Sequence, residues 1–131
     1  MNSNQTIAQF LKVKTFPFKI KNENGNEIYY ENSNGAWIKR EYDLNGKEIY
    51  YENSNGAWIK REYDSDGNVI YYENSEGVWY KRECDSDGNI IYHENSEGVI
   101  HDNRPKPVLE ITLEEIAALK GVSVSQIHIK E

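Results

Sequence analysis

Gly46-Lys-Glu-Ile-Tyr-Tyr-Glu-Asn-Ser-Asn-Gly56-Ala-Trp-Ile-Lys-Arg-Glu-Tyr-Asp64 recurs almost letter for letter from Gly67, and variants of it begin at Gly25 and Gly88. Two sets of glycines mark the period: Gly25, Gly46, Gly67 and Gly88, then Gly35, Gly56, Gly77 and Gly98, with 21 residues between successive members of each set. A fixed period of this kind defines a supersecondary unit that buries apolar surface against its neighbours rather than alone. Each unit carries two turn signatures. Asp43-Leu-Asn-Gly46 and Asn53-Ser-Asn-Gly56 both place Asp or Asn first and Gly fourth, which suits a type I turn whose glycine takes the left-handed region. Between the turns, Ile49-Tyr-Tyr-Glu52 and Ala57-Trp-Ile-Lys-Arg-Glu-Tyr63 are rich in the aromatic and β-branched residues that fit a pleated surface. The expected fold is mainly β: a twisted antiparallel meander of about eight or nine short strands built from β-hairpin repeats.

Parity refines that expectation. Side chains alternate faces along a strand, and the period of 21 is odd. Trp37, Trp58 and Trp79 line one side only if each unit contains an odd number of register breaks, and a bulge at one turn glycine per unit would supply one. The Trp column extends by the same period to Phe16 and Ile100, while Ile28, Ile49, Ile70 and Ile91 form a second apolar column. Tyr29, Tyr50, Tyr71 and Tyr92 form a third. Lys39, Lys60 and Lys81 are expected to face Glu31, Glu52, Glu73 and Glu94 across neighbouring strands, which controls register and solubility.

The array reads as residues 16–103, between a helical cap at 1–15 and a strand-helix cap at 104–131. Ile7, Phe10 and Leu11 have helical spacing over Thr6 to Val13, with Asn4 as the cap. After Arg104-Pro-Lys-Pro107, Val108 to Ile111 reads as a strand, and Thr112-Leu-Glu-Glu115 is a capping box opening a short helix that stops at Gly121. The alternation of Val122, Val124, Ile127 and Ile129 permits either a second helix or a closing strand.

Composition narrows function by exclusion. A net charge of −7 disfavours binding to nucleic-acid phosphates, which depends on Lys and Arg, and favours a partner with a basic surface. Mean hydropathy is −0.85, yet ten Tyr and three Trp supply the rings that disordered segments lack. No basic segment followed by a long apolar run opens the chain and no run approaches a membrane span, so a cytoplasmic location is expected. The single cysteine, Cys84, occupies the column of Tyr42 and Tyr63. His93, His101 and His128 are scattered, and no nucleophile, phosphate-loop or metal-ligand motif occurs, so no enzyme activity and no cofactor are expected. Asp64-Ser-Asp-Gly-Asn68 and Asp85-Ser-Asp-Gly-Asn89 begin like calcium loops but lack the closing acidic residue.

Tyr42-Asp-Leu-Asn-Gly46 and Tyr63-Asp-Ser-Asp-Gly67 resemble the YD repeats of Rhs-type proteins, a resemblance that covers roughly residues 16–103 and implies twisted β-hairpins. The unit is also similar to choline- and glucan-binding cell-wall repeats, although Ile49 stands where those carry a ring of the ligand cage. In the tail, Ala117, Gly121, Val122-Ser123 and Ile127 resemble a shortened lac-repressor-type helix-turn-helix, which implies DNA reading. In style the chain is similar to acidic repeat proteins of phages. That likeness implies a non-enzymatic inhibitor of a host defence or nucleic-acid-handling complex. Tyr51, Glu52, Trp58, Tyr72, Glu73 and Trp79 are the expected contact residues, because aromatic patches favour interfaces and acidic edges steer a basic partner. A cell-wall ligand, DNA, or self-assembly into a homo-oligomer are the alternatives.

Overall fold

The structure, a computed structural model, describes residues 4–130; Met1–Ser3 of the expected N-terminal cap and Glu131 of the C-terminal one lie outside the described residues. Nine strands follow the chain in simple order in one open antiparallel sheet: β1 (Phe18–Lys21), β2 (Glu27–Glu31), β3 (Trp37–Tyr42), β4 (Glu48–Asn53), β5 (Trp58–Tyr63), β6 (Val69–Asn74), β7 (Trp79–Cys84), β8 (Ile90–Asn95) and β9 (Ile100–Asp102). Two short α-helices flank it in sequence, α1 (Ile7–Leu11) and α2 (Leu113–Lys120), and a 3-10 turn follows at Val124–Gln126.

The turns explain why the repeat begins with Asp or Asn and ends on Gly. In all eight hairpins the first residue's side-chain oxygen accepts two backbone amides, as Asp64 does from Asp66 and Asn68 and Asn53 does from Asn55 and Ala57. The glycine that closes each turn has φ between 81° and 86°, a region costly for any residue with a Cβ. Both hairpins of a unit therefore use the same turn, and the glycine bulges come in pairs that cancel in parity. The break that decides the face lies elsewhere: Glu41 pairs with Tyr50 but Tyr42 pairs with Glu48, leaving Ile49 without a ladder partner. The same slip recurs at Ile28, Ile70 and Ile91. One break per unit is present as parity requires, but at the isoleucine column rather than at a glycine.

With that break, Trp37, Trp58 and Trp79 share one face with Tyr29, Tyr50, Tyr71 and Tyr92 and with Glu31, Glu52, Glu73 and Glu94. We call this the tryptophan face. The opposite, arginine face carries Arg40, Arg61 and Arg82 with Tyr51, Tyr72 and His93. Among the described residues only Ala8, Tyr29, Glu31 and Ala117 are buried, so the sheet is a single layer with most side chains half-exposed. Its stability rests on cross-strand pairs, worth ~0.2 to 1 kcal/mol each, more than on a core.

The ends differ from expectation in four ways. Helix α1 is capped by Thr6, not Asn4, because Thr6 and Gln9 satisfy each other's backbone amides in a capping box. Phe16 falls in the bend before β1, and Phe18 faces Glu31 instead. Val108 to Ile111 forms no strand, whereas α2 keeps its Thr112–Glu115 box and its left-handed Gly121. The tail closes with the short 3-10 turn rather than a strand or a full second helix.

Candidate functional site

The six expected contact residues do not form one surface. Glu52 pairs with Trp58 and Glu73 with Trp79 on the tryptophan face, while Tyr51 pairs with Ile59 and Tyr72 with Tyr80 on the other. Adjacent residues on a strand point apart, so Tyr51–Glu52 and Tyr72–Glu73 could not have stayed together.

On the tryptophan face each unit repeats one arrangement. The tyrosine hydroxyl donates to the glutamate two residues on: 2.8 Å for Tyr29–Glu31, 3.2 Å for Tyr50–Glu52, and 2.9 Å for both Tyr71–Glu73 and Tyr92–Glu94. The hydrogen bond and burial raise the tyrosine pKa in every copy, with burial the larger cause at Tyr29 and Tyr50 and the glutamate hydrogen bond the larger at Tyr71 and Tyr92. Lys39, Lys60 and Lys81 do sit opposite Glu52, Glu73 and Glu94 in register. Yet the Lys60 and Lys81 ammonium groups lie 5.0 Å and 5.7 Å from the ring centroids of Trp58 and Trp79. They cover rings at least as much as they neutralise carboxylates. Beside the bulge at Ile49 the face is grooved, with about 470 Å³ lined by Ile49, Tyr50, Lys60, Glu62 and Tyr71. Equivalent grooves lie one unit to either side, at Ile28 and at Ile70.

Among the described residues a helix covers only the first unit, while in the fourth the Arg104 guanidinium lies 4.3 Å from the Tyr92 ring centroid. Thr6 donates its hydroxyl to Glu31 at 2.8 Å, the Ala8 amide donates to the same carboxylate at 3.3 Å, and Ile7 lines the groove beside Ile28. Glu31 is left 2% exposed, whereas Glu52, Glu73 and Glu94 remain partly open. A carboxylate this deeply buried is tolerable only with its oxygens accepting hydrogen bonds, as here.

The arginine face is organised by residues that the repeat pattern did not single out. Arg40 pairs with Glu27 at 3.0 Å and Arg61 with Glu48 at 3.9 Å, and each guanidinium lies within 6 Å of a tyrosine ring, Tyr51 and Tyr72 respectively. In the third unit Val69 replaces the glutamate; Arg82 sits 3.9 Å from the Tyr80 ring centroid and donates to His93. Tyr42 and Tyr63 donate to the carbonyls of Glu27 and Glu48 at 3.1 Å and 2.8 Å, a bond that Cys84 in the same column does not provide. The recurrence of Arg after Lys in the first three units was the available signal for this face.

The Asp64 carboxylate that resembled a calcium-loop ligand is engaged by the amides of its own turn, which lower its pKa, and Asp85 behaves alike. Among the described residues no group of three His, Cys, Asp or Glu gathers as a metal site, and no helix is long and apolar enough to cross a membrane. No protein-family model matches the chain, and no curated protein matches it in sequence.

Proposed function

We propose that this chain is a non-enzymatic protein-binding module whose working surface is the open part of the tryptophan face, and that its partner presents a basic surface. The observation that carries this reading is the run Tyr50–Glu52–Trp58 and Tyr71–Glu73–Trp79: aromatic and acidic side chains in register on a layer over which no described helix or strand packs. Rings of this size bury large area at small entropic cost, and carboxylates around them steer a cationic partner. The acidic turns Asp64–Asp66 and Asp85–Asp87 add to the same field. A basic nucleic-acid channel on a host complex is a partner of the right sign, and occupying it would make the module an inhibitor. A cationic small ligand is the poorer fit, because Lys60 and Arg61 line the groove that would hold it.

Capture of host-lysate proteins on the immobilised chain tests the reading. A partner is expected that elutes as salt rises and that is lost with Trp58→Ala plus Trp79→Ala but kept with Tyr51→Ala plus Tyr72→Ala. Capture that is indifferent to the tryptophans, or no captured protein at all, overturns it.

A further inference from the structure

We propose that the Tyr–Glu pairs at Tyr50–Glu52 and Tyr71–Glu73 are vacant copies of the α1 seat, and that the partner docks on them through helix starts like the chain's own Thr6-Ile-Ala-Gln9. This rests on the reading of the chain as a protein-binding module and names the chemistry of what is bound.

The molecule displays the docking mode once. At the first unit a hydroxyl cap and a backbone amide of α1 both donate to Glu31, the apolar Ile7 lines one wall of the bulge groove, and a small residue, Ala8, lies 1% exposed against the sheet. The second and third units keep the acceptor, the tyrosine that orients it and the groove beside the isoleucine, without a described segment that donates to the glutamate as α1 does. In the fourth, Tyr92 and Glu94 keep their hydrogen bond but Arg104 lies 4.3 Å from the Tyr92 ring centroid. Units recur every two strands, about 9.5 Å apart at ordinary strand spacing, which is the distance at which neighbouring helices pack. Two helices of one partner can therefore start side by side on this face.

The occupant is a different protein rather than a second copy. Each chain has four such units and one α1, so exchange of α1 between copies leaves as many seats open as before. The other capped helix, α2, begins Leu113-Glu-Glu115, and its acidic first turn is repelled by Glu52, Glu73 and Glu94. The fitting segment has Ser or Thr at the cap, an apolar residue next, a small residue third and no acid in its first turn.

A synthetic peptide with the sequence of residues 4–13, added to the full chain, is the probe. Carbodiimide labelling of the carboxylates, read by mass spectrometry, is expected to show saturable protection of Glu52 and Glu73. Replacing the peptide's threonine by alanine is expected to weaken protection about tenfold, the loss of one hydrogen bond to a charged group. Glu52→Gln and Glu73→Gln together, both at partly exposed positions, should abolish peptide-induced shifts of the neighbouring amides in nuclear magnetic resonance spectra. Protection that never appears, or that appears unchanged with the alanine peptide, overturns the proposal while leaving lysate capture through the tryptophans intact.

Discussion

The first repeat unit and the three that follow it use the same tyrosine and glutamate, yet Glu31 is buried and Glu52, Glu73 and Glu94 are partly open. The difference lies in the Thr6–Ala8 segment laid over one and not over the others. It teaches that the repeat encodes a surface able to be covered, and that cover is supplied from outside the repeat. A sheet with a layer on one face would ordinarily bury apolar residues against it. Here the face is amphiphilic throughout, which lets it stand in water and still accept a partner.

Glu31→Ala breaks the comparison most forcefully. It leaves the Thr6 and Tyr29 hydroxyls without their buried acceptor, and a loss of about 3 kcal/mol is expected in urea unfolding. Glu73→Ala removes one bond at a partly open site and should cost less than ~1 kcal/mol. Equal losses at the two positions would mean that α1 contributes nothing to the first unit.

Alkaline titration sharpens the same contrast. Tyr29, Tyr50, Tyr71 and Tyr92 have folded pKa values above the ordinary 10.0, so the unfolded chain releases these protons first. Their contribution is complete below pH 10.0 and is lost as pH rises through the folded values, with Tyr29, the buried one, titrating last. Tyrosinate absorbance in Tyr→Phe variants would assign the order. Titration of Tyr29 before Tyr71 contradicts it.

A gain is expected on the open side. Cys84→Tyr restores the ring whose hydroxyl, by analogy with Tyr42 and Tyr63, reaches the carbonyl of Val69, and should stabilise by about 1 kcal/mol in thermal melts. The smallest effect is acidic. The first unit's turns open with Asn22 and Asn32, which do not titrate, whereas Asp64 and Asp85 have pKa values lowered by turn amides. Their contribution is present above the ordinary 3.8 and fades as pH falls through the lowered values, so Asp64→Asn plus Asp85→Asn should flatten the acid limb of a melting-temperature profile.

The meander, its turns and the common face of the tryptophans were legible because each follows from local chemistry: glycine at positive φ, Asp or Asn oxygens on turn amides, and alternation along strands. The position of the register break was not. Nothing in Ile49 itself announces a bulge; the slip is a property of how Tyr42 and Glu48 meet across the hairpin. The seat for α1 was equally hidden, because Thr6 and Glu31 are 25 residues apart and their meeting is tertiary. Tyr51 and Tyr72 were grouped with Glu52 and Glu73 by adjacency in sequence, which a strand converts into opposition.

Carboxylate labelling of the free chain tests the central contrast most directly. Wild-type protein should modify Glu52, Glu73 and Glu94 readily and leave Glu31 almost untouched, and Ala8→Glu, which places a second carboxylate beside Glu31 and lifts α1, should bring Glu31 to the rate of the others. Four equal rates in the wild type, or protection of the three later glutamates in the absence of any partner, would contradict the account.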